Sequence, residues 1–146
     1  MKMDTVSFML VALAGIAVAF QMGVNGALGK QIGTIEASFT SFLVGTVALF
    51  IGMMLIGKGN FMLIREMPLW KLTGGLLGAI YVMISVTLVP KIGIGNVLMI
   101  LIIAQLSTSA VIDHFGIFTG VSLPISCKKL TAMGLMFFAL WLFYKK

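Results

Sequence analysis

The strongest constraint on this chain is its series of long apolar runs, which leave almost no sequence for a water-soluble core. Hydrophobic residues make up 60% of the 146 residues, and only 10% are charged. The mean hydropathy is +1.16. A bilayer's hydrocarbon core is about 30 Å thick, so each helical crossing needs roughly 20 apolar residues. Five crossings therefore use most of the chain, and we expect one transmembrane domain over residues 1–146.

Five apolar runs are separated by glycine, proline or charged residues, as expected at the ends of transmembrane helices. Hydrophobicity within each run is continuous rather than alternating, which favours helices over barrel strands. We predict an all-α integral membrane protein with spans at about 5–28, 34–56, 70–89, 94–112 and 130–144.

The segments that flank these spans carry further expectations. Gly29–Gly33 predicts a turn, Pro90 a helix stop, and Phe61–Ile64 a short helix on the membrane surface. Residues 115–123 are apolar enough to re-enter or skim the bilayer. Ala17–Ala19 has the small-residue pattern of a signal cleavage site, but the apolar run continues past it, so we expect the first helix to be retained.

The net charge of +6 comes from basic residues that lie at the ends of the apolar runs, where they act as interfacial anchors. We therefore expect the lipid bilayer, and not nucleic acid, as the surrounding partner. With five spans, one side of the membrane carries six of the basic residues (Lys2, Lys58, Arg65, Lys71, Lys128 and Lys129) and the other carries four (Lys30, Lys91, Lys145 and Lys146). This weak bias is compatible with insertion in both orientations, and two opposed copies make an inverted pair.

Polar side chains inside the spans are the candidate functional residues, because burying them in hydrocarbon is costly. Gln21 and Asn25 lie four residues apart and share a face of the first helix. Their amides either join neighbouring helices or line a pathway. Glu36 either sits at the positive end of the second helix or exchanges a proton or cation.

The third and fourth spans add a second group of candidates. Gly74 and Gly78 form a small-residue surface that predicts close helix packing. Tyr81 and Ser85 continue that face as a polar surface, and Gln105 and Ser109 share a face of the fourth span. Asp113, next to His114, either caps the interface or takes part in ion coupling.

No catalytic or metal-binding constellation is present in the sequence. Cys127 is the single cysteine, the acids are isolated, and no phosphate-cradling motif occurs. We therefore expect neither an enzyme nor a protein that holds a metal or a cofactor.

Several motifs together resemble the YdcZ-type branch of the drug/metabolite transporter superfamily over about the whole chain. They are Gln21–Asn25 with Leu28, Ser41–Thr46, Gly74–Val82, Val89–Gly93, Gln105-Leu106 and Ile112–Gly116. Ala104 replaces the glycine that the family usually has before the fourth-span glutamine, which alters local packing but keeps the amide.

The resemblance implies a five-helix half-transporter in the bacterial inner membrane. It implies antiparallel dimers, of one chain, of two related chains or fused into ten helices, and a relation to small-molecule exporters. We therefore expect a secondary-transporter half that moves a small organic solute by alternating access. Gln21, Asn25, Tyr81, Ser85, Gln105 and Ser109 would line its pathway, with Glu36 or Asp113 as coupling groups. A membrane assembly or regulatory subunit without transport activity and a passive channel are the alternatives.

Overall fold

The computed structural model describes residues 4–145, so Lys2 and Lys146 lie outside the described residues. Its elements are α1 (Thr5–Ile32), α2 (Thr34–Ile56), two 3₁₀ segments (Phe61–Glu66 and Leu69–Leu72), α3 (Thr73–Ile92), α4 (Ile94–Phe115) and α5 (Cys127–Tyr144). Five helices are long and apolar enough to cross a membrane, and no strand occurs among the described residues. The predicted all-α fold with five membrane-length helices is confirmed.

The chain divides into two compact units. Unit 1 ends at Ile94 and contains α1, α2 and α3, whereas unit 2 begins at Gly95 and contains α4 and α5. The expectation of one transmembrane domain over the whole chain stays a prediction.

A single glycine, Gly33, connects α1 to α2. Its φ of 102° lies in the region that favours glycine, and its N–H donates to the carbonyl of Gly29 at 3.1 Å. α1 therefore runs four residues past the predicted end of the first span, because the chain reverses at Gly33 and not at Gly29.

Gly93 ends α3 in the same way. Its φ is 85°, and its N–H donates to the carbonyl of Val89 at 3.0 Å. Pro90 therefore does not stop the helix, which continues to Ile92. Only Lys91 and Ile92 follow Pro90 in the helix, so the missing N–H and the bulk of the proline ring affect only the end of α3.

The end of α4 lies three residues beyond the predicted limit of the fourth span, at Phe115. Gly116, with φ 61°, donates its N–H to Asp113, and Ile117 donates to Ile112, both at 3.2 Å. This pair of bonds is a Schellman motif. The Asp-His-Phe-Gly segment is therefore a helix stop.

The segment after Gly116 folds back on the end of α4 and contains no helix before α5. Leu123 donates its N–H to the carbonyl of Asp113 at 2.8 Å. α5 begins three residues before the predicted fifth span because the Ser126 side chain caps it by accepting from the N–H of Lys129 at 3.3 Å.

At the other end of the chain, hydrogen bonds from Ser7 lower the pKa of the Asp4 carboxyl, which caps α1.

The packed interior of unit 1 lies where α1 ends, α2 begins and α3 ends. Ala37, Val82 and Val86 are its centre, with Leu28 and Tyr81 against them. Few other side chains are buried, and no more than 17% of the most apolar stretch of any helix is buried. Most of the remaining apolar side chains are exposed, as expected of helices in a membrane.

Two glycines of α1 make the close contact with α3. A Cβ at Gly26 would meet the Cγ1 atom of Val89 at 2.9 Å, and one at Gly29 would collide with Val86. A Cβ added at Gly74 would meet nothing within 4 Å, and one added at Gly78 would meet only the ring of Phe42, at 3.4 Å. The tight helix crossing in unit 1 is thus on α1, and the packing role predicted for Gly74 and Gly78 stays a prediction.

Replacing Gly29 tests this crossing. Gly29→Ala should reduce the free energy of unfolding by about 1–3 kcal/mol, because Val86 is buried and cannot yield to the added methyl group. The measurement is denaturant unfolding in detergent micelles. Gly15→Ala, where nothing lies within 4 Å, is the matched control and should unfold no more easily than the wild type. Equal losses in the two variants would contradict the packing described.

Candidate functional site

The α1–α2 pair is an antiparallel hairpin whose register is fixed by Gly33. On the facing sides of the two helices, two pairs of residues that are equidistant from this glycine meet. A Cβ at Gly29 would meet that of Ala37, four positions on each side, at 3.9 Å. Eight positions on each side, Asn25 and Ser41 are hydrogen-bonded.

Asn25 is the most buried amide among the candidates, with 7% of its surface exposed. Its Nδ2 group donates to the Oγ atom of Ser41 at 3.0 Å. In an apolar interior this bond joins α1 to α2, which is the role expected of an interhelical amide. The amide oxygen and the Ser41 hydroxyl hydrogen keep further hydrogen-bonding capacity.

A groove of about 180 Å³ adjoins this pair. It is lined by Gln21, Ser41, Phe42, Gly45, Thr46 and Leu49. The lining therefore offers an amide from α1 and, from α2, two hydroxyl groups, an aromatic ring and aliphatic carbon. No ionisable side chain lines the groove, so its chemistry is neutral hydrogen bonding combined with apolar contact.

Tyr81 and Ser85 lie on α3, in the packed part of unit 1. Ser85 is 3% exposed, and its hydroxyl donates to the carbonyl of Tyr81 at 2.9 Å within the same helix. Tyr81 packs against the cluster of Ala37, Val82 and Val86. Neither residue lines the groove that contains Gln21 and Ser41.

Gln105 and Ser109 lie on α4 in unit 2, and both are exposed. The Ser109 hydroxyl donates to the carbonyl of Leu106 at 3.0 Å. Between them, the Oγ atom of Ser107 is buried and has no hydrogen-bond partner within residues 4–145. The pathway role predicted for Gln105 and Ser109 stays a prediction.

The two acids considered for ion coupling lie at helix ends. Glu36 is exposed in the first turn of α2, and its carboxylate lies close against Gly33, at the positive end of that helix. Asp113 lies in the last turn of α4, and its backbone carbonyl accepts hydrogen bonds from the N–H groups of Gly116 and Leu123. Their coupling role stays a prediction.

His114, next to Asp113, accepts two hydrogen bonds from the segment that follows α4. Its carbonyl accepts from the Ser122 hydroxyl, and its Nδ1 atom accepts from the N–H of Ile125 at 3.4 Å. Throughout the described residues, no three His, Cys, Asp or Glu side chains converge as metal ligands.

The motifs now have structural roles in the glycine that ends α3, in the helix stop after α4 and in the polar α1–α2 contact. The family described as "Putative inner membrane exporter, YdcZ" matches residues 6–142. The chain belongs to the YdcZ family. Together with the five membrane-length helices, this membership makes it a multi-pass inner membrane protein. No curated protein and no solved structure matched the chain.

The structure of this YdcZ protein reveals contact residues in the hairpin that the sequence pattern did not identify. Ser41 appeared only as part of a family motif, and Thr46 and the packing glycines of α1 were not assigned to contacts. Placing the turn at Gly33 would have identified Ser41, since it lies as far after that glycine as Asn25 lies before it.

A double-mutant cycle tests the Asn25–Ser41 contact. Asn25→Ala and Ser41→Ala should each destabilise the protein, and their coupling energy should be about 0.6 kcal/mol, the average for interhelical hydrogen bonds in membranes. The measurement is the free energy of unfolding in micelles. Pairing Asn25→Ala with Ser109→Ala, whose hydroxyl bonds within its own helix, should give no coupling. Coupling as large in that control cycle would contradict a direct contact.

Proposed function

We propose that this YdcZ protein is half of a secondary transporter that moves a small organic solute across the inner membrane by alternating access. The observation that carries the proposal is the groove lined by Gln21, Ser41 and Thr46, beside the buried Asn25 amide. Amides and hydroxyls that line a groove between apolar helices are expected where a polar cargo crosses the lipid. The family description as an inner membrane exporter supports the same proposal.

The depth of the groove supports a transport role. Gln21 lies eleven residues before the end of α1, and Thr46 lies twelve residues after the start of α2. At about 1.5 Å per residue these distances are about 16–18 Å, close to half of a roughly 30 Å hydrocarbon core. Substrate sites of secondary transporters lie near this midplane.

The chemistry of the groove favours a solute without net charge. The chain has four acids, and each lies at or beyond a helix end: Asp4, Glu36, Glu66 and Asp113. A charged cargo at the midplane would need a counter-charge to offset its desolvation. Amides and hydroxyls instead match a neutral solute that has both hydrogen-bonding groups and apolar surface.

Two inverted copies of the chain, or one copy with a related chain, complete the transporter in this proposal. Its supports are the weak charge bias between the two sides and the apolar surface that five helices leave exposed. Alternating access then consists of one copy moving against the other around the grooves. Tyr81, Ser85, Gln105 and Ser109 line the rest of the pathway in this proposal, and proton coupling through Glu36 or Asp113 belongs to it.

Transport is tested with proteoliposomes loaded with an aqueous bacterial metabolite extract. Neutral polar compounds should leave wild-type vesicles with saturable kinetics and remain in vesicles that contain Asn25→Leu, because the apolar side chain removes the midplane amide. Mass spectrometry of the retained contents is the measurement. Gln31→Leu, an amide in the last turn of α1 and outside the groove, should transport like the wild type.

Three outcomes of the vesicle experiment would contradict the proposal. Flux that rises linearly with concentration would identify a passive channel. Equal retention in wild-type and empty vesicles would favour a subunit without transport activity of its own. Loss confined to charged compounds would contradict the neutral substrate class.

Orientation is tested by labelling a cysteine placed in the loop after α2. Gly59 suits this test because it is exposed and an added side chain meets nothing within 4 Å. In a Cys127→Ser background, an impermeant maleimide should label about half of the Gly59→Cys molecules in intact cells and all of them after lysis. Complete labelling, or none, in intact cells would contradict an antiparallel homodimer and leave a second chain of opposite orientation as the required partner.

A further inference from the structure

A second groove in unit 1 shares no residue with the polar groove between α1 and α2. It is lined by Thr34, Ile35, Met83, Ile84, Thr87 and Leu88 and has a volume of about 420 Å³. That volume lies within the range of about 300–1,000 Å³ that is typical of small-molecule sites. It is formed by the first turn of α2 and the C-terminal half of α3.

The surface of this groove is almost entirely hydrocarbon. Ile35 is 69% exposed and Ile84 is 47% exposed, so both present carbon to the surroundings. The Thr87 hydroxyl donates to the carbonyl of Met83 at 2.8 Å, which uses its hydrogen within the helix. A polar solute would find few partners here, whereas a hydrocarbon chain would meet matching surface.

A cation continues the same face of α3 toward the membrane surface. Lys91 lies three residues after Leu88 and four after Thr87, so it follows the groove by about 4.5–6 Å along the helix axis. It is exposed, and it lies in the last turn, two residues before Gly93 ends the helix. An apolar groove with a lysine at its outer end matches the two parts of a phospholipid, an acyl chain and a phosphate.

Two other charged residues lie at this end of unit 1. Lys30 is exposed in the last turn of α1, and Glu36 is exposed in the first turn of α2. The Glu36 carboxylate lies against Gly33, on its own helix end. Two lysines and one glutamate leave a net positive charge beside the groove, which favours an anionic phosphate.

We propose that unit 1 binds a phospholipid here, with an acyl chain in the groove between α2 and α3 and the headgroup phosphate on Lys91. The site is separate from the proposed substrate groove and does not depend on transport. A lipid so held covers apolar surface of α2 and α3 where the described chain leaves it open.

The test uses the purified full-length protein in detergent with added phosphatidylglycerol, and bound lipid is counted by native mass spectrometry. Lys91→Gln should weaken phosphatidylglycerol binding by about fivefold, the effect of one lysine near a headgroup. Ile84→Trp should reduce binding by filling the groove. Lys58→Gln, which removes a lysine in the loop after α2, is the matched control and should bind like the wild type.

Specific outcomes overturn the proposal. Equal binding by the wild type and Lys91→Gln, or equal binding of diacylglycerol and phosphatidylglycerol, would show that Lys91 does not hold a phosphate. Conversion of a dimer to a monomer by Ile84→Trp, with lipid binding unchanged, would show that a second copy occupies the groove. If Ile84→Trp does not fold, Lys91→Gln decides the result, because an exposed lysine at a helix end is not needed for packing.

Discussion

In hydrocarbon, no water is available to satisfy a polar group, and the rest of this structure depends on that constraint. Backbone groups are satisfied within helices, and the chain reverses between α1 and α2 through a single glycine. Several side-chain hydroxyls follow the same rule, although the buried Ser107 oxygen has no partner among the described residues. Ser38, Ser85 and Thr87 each donate to a carbonyl four residues earlier in their own helix. Asn25 is different, because its partner, Ser41, belongs to another helix.

This difference separates polar residues that bond within their own helix from those that link two helices. Ser85 was a candidate for the pathway, yet its hydroxyl is satisfied locally and its surroundings are packed. Asn25 and Ser41 instead link two helices at the edge of a groove that also contains Gln21. The link also fits the simpler interpretation, that the amide only joins helices. The groove beside the pair is what favours a binding role.

The sequence predicted the fold well because length and hydropathy alone determine membrane-length helices. It predicted their ends less well. Gly29 and Gly33 lie in the same short stretch. Gly29 is helical and leaves room for the Val86 side chain, whereas Gly33 has a positive φ and reverses the chain. Pro90 was expected to end α3, yet Gly93 does so. Composition does not tell a packing glycine from a turning glycine, because the difference lies in the neighbouring helix.

The candidate site was predictable only in part, for the same reason. Gln21 and Asn25 were found by their spacing on one helix, while Ser41 depends on the hairpin register and therefore on the exact turn residue. Gln105 and Ser109 were predicted as part of the same pathway, and they belong to the other unit, where both are exposed. Spacing along a helix predicts a shared face, but it does not predict which neighbour that face meets.

The one-residue connection at Gly33 also limits how the gene for such a protein can change in length. An added or deleted codon there would shift α2 by one residue relative to α1. The hydrogen bond between Asn25 and Ser41 and the contact between Gly29 and Ala37 would then be broken. The segment between α2 and α3 has no such register, because its residues are exposed and outside the hairpin. Length variation among relatives should therefore collect in the α2–α3 segment and be absent at Gly33.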